Sequence, residues 1–405
     1  MAVIRPFRAL RPARDTAAAV SSVPYDVVST EEARQLAAGN PLSFLHVTRS
    51  EIDLPPGTDP YSDPVYAKAK AQLASLRRTA PLVTEGEPSL YFYRLRMGGH
   101  EQTGLAACFS VDEYEQNVIR KHERTRRDKE DDRTRHIIDV RAQTGVVFVT
   151  YQPSEAIDQL CRAVTADRPL YDFRADDGVH HTIWRVKEQE ATALVDAFAR
   201  VPVLYIADGH HRAASAARAR AEMRTRGDSL EADTFIAVAF PSDQVRILPY
   251  NRTVQDLAGQ TPDQFLTALR AVVPVRGGAA TPRGKGEVAM YLDGSWYALD
   301  LSGAAPADPS RASALDVARL QHHVLGPLLK IGDVRTDKRI DFVGGARGTA
   351  ALESAVKAGT AAAAFSLHPV TIEDLMSISD EGGIMPPKST WFEPKLRDGL
   401  LIHTI

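Results

Sequence analysis

The segment Val203 to Ala219, VLYIADGHHRAASAARA, constrains the fold more than any other part of the chain. Val203 to Ala207 is a short apolar, β-prone run, and the alanine-rich stretch from Ala213 has the composition of a strong helix former. Asp208 and Gly209 fall at the junction, where an aspartate favours the N-cap and a glycine tolerates a sharp turn. The sequence therefore predicts a buried strand feeding a helix, with the first amides of that helix directed beyond the strand's carboxyl end. His210, His211 and Arg212 add side-chain donors there. A helix N-terminus contributes only about 0.3–1 kcal/mol to anion binding, so the guanidinium and imidazoles are needed for a doubly charged phosphate. An ordinary cap followed by solvated histidines is the competing explanation of an isolated Asp-Gly, and the appended His-His-Arg favours the phosphate cradle.

At 405 residues the chain exceeds one small core. A glycine-rich stretch at Arg276–Gly286 suggests two regions, 1–275 and 276–405. The first carries the Asp-Gly turn and the second a loop at Met385–Ser389, MPPKS. Hydrophobic residues make up 44% and charged residues 25%, as in folded globular proteins, and the net charge of −3 argues against a nucleic-acid partner. No apolar run reaches bilayer length, which argues against a membrane partner. The opening MAVIRPFRALRPARD is too rich in arginine and proline for a secretory signal. With only Cys108 and Cys161, a disulfide framework is ruled out and a reducing cytoplasm is the expected location.

Strands alternating with helices through the middle of the chain predict a mixed α/β fold. Helices are expected from near Thr30, over Pro64–Arg78, from the charged run to Ala142, and over Ala314–Leu329. Pro41–Arg49 reads as extended. Gly98-Gly99 and Asp293-Gly294 mark two hairpins. The charged run Arg120–Arg135 holds eight Lys or Arg and five Asp or Glu, a pattern that usually makes a solvated helix face. His122-Glu123-Arg124-Thr125 at its start nevertheless offers Glu123 as an acid or base among cations, and Arg133 lies further along. The MPPKS loop is stiffened by prolines and presents Lys388 as a phosphate ligand. Asp341–Thr349 is glycine-rich but matches neither the Rossmann nor the Walker pattern. The adjacent pairs His180-His181 and His322-His323 diverge on any regular element and make poor chelates.

The elements VPYDVVS (Val23–Ser29), SFLHVTR (Ser43–Arg49), KHERT (Lys121–Thr125), ADGHHR (Ala207–Arg212) and MPPKSTWFEPKL (Met385–Leu396) together resemble the bacterial and archaeal family numbered 1015 among domains of unknown function. The DGHHR element is in turn similar to the Asp-Gly-His-x-Arg phosphate motif of free serine kinases in the ParB and sulfiredoxin superfamily. That resemblance implies a ParB/sulfiredoxin-like core with added hairpins and a C-terminal α/β segment. It also implies transfer of a phosphoryl group from pyrophosphate, ADP or ATP to L-serine. On it, Gly209, His210, His211, Arg212 and Lys388 would hold phosphate, Asp208 would hold Mg²⁺ or accept a proton, and Glu123 would be an alternative base. Arg49, His122 and Arg133 would bind the substrate. A ParB-like nucleotide-binding regulator and a phosphoester or pyrophosphate hydrolase are the competing functions, and a homo-oligomer is compatible with the sequence.

Overall fold

The computed structural model describes residues 2–79, 82–227 and 230–405. The chain divides into two compact units, one comprising 1–121, 125–245 and 394–405, the other 122–124 and 246–393. The break suggested near residue 275 thus falls instead between Val245 and Arg246, and the last twelve residues return to the first unit. The stretch Arg276–Gly286 proves to be the end of one strand and the connection, residues 278–286, to another strand of the same sheet, for which the same turn-rich composition is required.

In the first unit, β1 (Ile4–Arg5), β2 (Tyr91–Met97), β3 (His100–Ser110), β4 (Ile119–Arg120), β5 (Val147–Tyr151), β6 (Tyr171–Arg174), β7 (His180–Arg185), β8 (Leu204–Asp208) and β9 (Thr234–Pro241) form one mixed sheet. Their order is β4-β8-β5-β9-β3-β2-β7-β6, with β1 beside β3. Gly98 at positive φ makes the expected tight turn between β2 and β3. The first unit also holds α1 (Thr30–Ala37), α2 (Asp63–Thr79), α3 (Arg127–Val140), α4 (Glu155–Thr165), α5 (Glu188–Phe198) and α6 (His210–Thr225). Phe92, Leu105, Phe109, Val147, Val149, Ile206 and Phe235 join Ile157 and Val164 of α4, Leu194 and Phe198 of α5 and the small face of α6 in one core. Alternation along each strand supplies the sheet side of that core. A second cluster gathers Leu10, Phe44, Val47, Leu73, Leu76, Val140 and Ile402, so the chain's end is packed against its beginning.

Two local expectations change. Helix α1 starts at Thr30 as expected, but its cap is Ser29, although Thr30 is the cap the Thr-Glu-Glu start suggests: Ser29 Oγ accepts the Glu32 N–H at 3.2 Å and Glu32 Oε2 accepts the Ser29 N–H at 2.8 Å. Pro41–Arg49 is not extended but contains a helical turn at Leu45–Thr48 followed by a 3₁₀ turn at Ser50–Asp53. Asn40 Oδ1 accepts the Leu42 N–H at 3.1 Å, so a local polar side chain bends the backbone away from a strand.

The second unit is built on an antiparallel sheet of β10 (Tyr250–Val254), β11 (Val275–Gly277), β12 (Glu287–Leu292), β13 (Ser295–Asp300), β14 (Ile340–Gly344) and β15 (Ala363–Ser366), ordered β11-β13-β12-β15-β10-β14. The Asp293-Gly294 hairpin forms as expected. It carries α7 (Pro262–Arg270), α8 (Gly348–Lys357) and α9 (Ile372–Asp380). The helix expected over Ala314–Leu329 is shorter: Asp316–Leu320 is α-helical and passes into a π-helical turn, Gln321–Leu325, before Gly326-Pro327 ends it. Among the described residues no helix is long and apolar enough to cross a membrane.

Candidate functional site

The predicted strand–turn–helix is present as β8, Gly209 and α6. A register shift against β5 between Ile206 and Asp208 leaves one extra residue on β8, which re-aims the strand's last side chain. Gly209, and not Asp208, occupies the N-cap, with φ +97°. A Cβ there would lie 3.3 Å from Arg212 Cδ and 3.4 Å from Val147 Cα, so both angle and space favour glycine. The first intrahelical bond runs from the Ala213 N–H to the Gly209 carbonyl at 3.0 Å. The amides of His210, His211 and Arg212 precede it, which is the geometry of a helix head.

Asp208 sits at the mouth of this turn, its side chain 30% exposed, and its Oδ2 accepts a hydrogen bond from Lys395 Nζ at 3.0 Å. Burial favours the neutral acid, but Lys395 and Arg212 outweigh it and hold the carboxyl well below the usual range. Asp208 is therefore an ionised hard-oxygen group of the kind that suits Mg²⁺. His210 is buried, while His211 Nε2 accepts the Arg126 N–H at 2.9 Å, which places the His211 proton on Nδ1.

Arg212 lies beneath the turn and only 6% of it is exposed. Its Nη1 donates to the Val146 carbonyl at 2.7 Å and its Nη2 to both oxygens of Asp26 at 2.6 and 2.7 Å, leaving Nε without a partner. The sequence predicts a phosphate partner for this guanidinium, whereas in the structure its Nη atoms bind the protein, as a brace. The buried Asp398 also feels this cluster: desolvation pushes its carboxyl up to about 7 although Arg212 opposes the shift, and Asp398 Oδ2 has no partner.

Around Arg212 the separated motifs of the first unit meet. Tyr25 lies under the Arg133 guanidinium at 4.3 Å and the Arg212 guanidinium at 5.7 Å. Arg133 pairs with Asp132 at 2.7 Å and donates to the Thr48 carbonyl at 3.4 Å. Arg49 pairs with Glu51 at 2.8 Å, donates to Thr30 Oγ1 at 2.8 Å and to the Tyr25 carbonyl at 3.2 Å. A small pocket opens between Tyr25, Arg133, His136, Gly145, Val147 and Arg212. Burial, helped by Arg133, lowers the His136 imidazole to about 4, so it is neutral in this wall.

His122, Glu123 and Lys388 belong to the second unit. The His122 carbonyl accepts the Met385 N–H at 2.8 Å and its Nε2 lies 3.5 Å from Thr390 Oγ1, so KHERT and the MPPKST loop are brought together. Lys388 adopts φ +57°, with Nζ 5.5 Å from the Tyr250 ring centre.

Sequence reasoning did not single out Asp26, Lys395 or Asp398. All three stand beside polar groups in turn-rich stretches, Asp26 in VPYD and the others in EPKLRD, but nothing local distinguishes a carboxylate destined for a buried arginine from a solvated one.

The arrangement defines a mixed α/β protein whose charged residues gather at one strand-to-helix turn. The chain belongs to the family described as "Protein of unknown function (DUF1015)", which matches residues 4–318. No curated protein matches the chain. Among solved structures, SbnI with C-terminal truncation from Staphylococcus aureus is similar at 12% identity and TM-score 0.39, over 72% of this chain and 85% of that one. A free serine kinase in complex with AMP is similar at 13% identity and TM-score 0.36, over 73% and 91%. A conserved hypothetical protein from Pyrococcus furiosus is similar at 12% identity and TM-score 0.37, over 73% and 94%.

Proposed function

We propose that this protein is a small-molecule phosphotransferase that moves a phosphoryl group from pyrophosphate, ADP or ATP to the hydroxyl of free L-serine, giving O-phosphoserine. The observation that carries the reading is the Asp208–Gly209 turn, where an ionised carboxylate paired with Lys395 stands at the head of α6. In such a transfer the serine oxygen forms a bond to phosphorus, the bond to the leaving phosphate breaks, and the hydroxyl proton passes to a carboxylate. Positioning and charge neutralisation provide most of the acceleration.

Gly209 and the first amides of α6, with His210 and His211, form the phosphate cradle. Arg212 holds that cradle in shape through Asp26 and the Val146 carbonyl. Asp208 either accepts the proton or binds Mg²⁺, which when bound neutralises the donor's charge. Glu123, beside His122, is the second candidate base, and Lys388 a further cation for phosphate. Arg49 and Arg133, which meet at Tyr25, are the candidates for the serine carboxylate.

The test incubates purified protein with L-serine, Mg²⁺ and each donor in turn and measures O-phosphoserine. Product with one donor, reduced about 100-fold or more by Asp208→Asn, supports the reading. Absence of product with every donor overturns it, and phosphate release without phosphoserine assigns a hydrolase instead.

A further inference from the structure

His403 is a buried titratable group that the candidate site does not use. It opens the short strand His403–Thr404, which pairs antiparallel with Ala142–Gln143 inside the first unit, and only 2% of it is exposed. Its Nδ1 lies 3.3 Å from Gln143 Oε1 and its Nε2 3.3 Å from Glu231 Oε2. The Phe7 ring meets it edge-on with 5.9 Å between centres. Cys108 of β3 and Glu231 of the 3₁₀ turn before β9 are the titratable groups that act on it.

These partners fix the protons of the ring. Gln143 Nε2 donates to the Thr234 carbonyl at 2.8 Å and Gln143 Oε1 accepts the Ile236 N–H at 2.9 Å, so the amide cannot be turned over without losing both bonds. The atom facing His403 Nδ1 is therefore an oxygen, and Nδ1 needs a proton to bond it. Glu231 presents a carboxylate, which only accepts, so Nε2 needs a proton as well. A ring that donates from both nitrogens is an imidazolium. A neutral ring has one proton, satisfies one of the two acceptors and turns a lone pair towards the other. Consistently, burial favours the neutral ring, but Cys108 and Glu231 outweigh it and raise the imidazole to about 9. The His403 bond, with smaller help from Arg5 and Arg8, holds the Glu231 carboxyl below its ordinary range.

We propose that His403 is a charge-dependent latch: as an imidazolium it fastens residues 394–405 to the first unit, and loss of its proton loosens that segment. The same segment carries Lys395, whose Nζ bonds Asp208, and Arg397, which pairs with Asp177. The latch therefore ties one proton in the sheet to the charge placed beside Asp208. It stands on hydrogen-bond geometry and does not depend on the phosphotransferase reading. Linkage gives the sign. The folded value of about 9 lies above the ordinary histidine value of ~6.5, so the latch is fully closed below about pH 6.5 and opens as pH rises through about 9.

Nitrogen-15 spectra of the histidine-labelled full chain read the ring directly. Both His403 nitrogens are expected to carry protons at neutral pH, with a deprotonation midpoint near 9. The Glu231 side chain is 67% exposed, so Glu231→Gln removes the charge without disturbing the core. In that variant the midpoint should fall by about 1 pH unit or more, which also identifies the His403 signals. Hydrogen exchange of residues 394–405 in Glu231→Gln, compared with the parent at one mildly alkaline pH, should then quicken about threefold or more while β3 is unchanged. A singly protonated His403 at neutral pH, or exchange of 394–405 that Glu231→Gln leaves unchanged, overturns the proposal. These readouts need no substrate, so failure of the latch and failure of the phosphotransferase reading are distinguishable.

Discussion

At the scale of single residues, Gly209 and Arg212 decide the shape of the turn. Gly209 is held at φ +97° with Arg212 and Val147 close by, so Gly209→Ala is expected to destabilise the fold by about 1–2 kcal/mol. Urea denaturation measures that loss, and the same variant should lose phosphoserine formation. Removing the counter-ion of Arg212 through Asp26→Asn leaves a buried guanidinium facing an amide. A fully buried pair broken this way costs about 3–5 kcal/mol, and the 36% exposure of Asp26 reduces the expectation to roughly 2–3 kcal/mol. Asp398 gives a pH signature. Its folded value of about 7 lies above the ordinary carboxylate value of ~3.9, so the folded state binds the extra proton between those limits. Its contribution is present at low pH and is lost as pH rises from about 4 towards 7. Asp398→Asn should flatten that part of the stability–pH curve, as followed by thermal melts, and an unchanged slope would refute the assignment.

At the scale of elements, caps and turns account for what local sequence encodes. The Ser29–Glu32 box starts α1, and Ser29→Ala should cost about 1 kcal/mol by chemical denaturation. The β8–turn–α6 unit was legible because an apolar run, Asp-Gly and an alanine-rich stretch each demand one conformation. The cap itself moved by one residue because the bulge in β8 carries Asp208 onto the strand end and leaves the positive-φ position to Gly209. SFLHVTR misled for the opposite reason. Phe44, Leu45 and Val47 are all buried, so their spacing carries no strand or helix period, and Asn40 turns the backbone.

At the scale of the whole molecule, the chain leaves the first unit and returns to it. The Leu10 N–H bonds the Ile402 carbonyl at 3.0 Å and β-pairing joins His403 to Gln143, so residues 394–405 complete the first unit. A fragment ending at Val245 is therefore expected to lack a cooperative unfolding transition. Arg246 and Glu393 are paired neighbours across two strands, so a short linker from Val245 to Pro394 should restore it. Circular dichroism melts of both fragments test this, and cooperative folding of the shorter one would contradict the division.

Sequence by itself determined the mixed α/β class, both hairpins, the strand-to-helix turn and the residues that furnish it, because each follows from the preferences of neighbouring residues. Tertiary structure alone decided that Lys395 would meet Asp208 across 187 positions and that Asp26 would hold Arg212 across 186. It also decided that His403 would meet Glu231 across 172 positions. Charge pairing at such separations depends on which strands become neighbours, and hydrophobic burial over the whole sheet sets that order before any single ion pair can form.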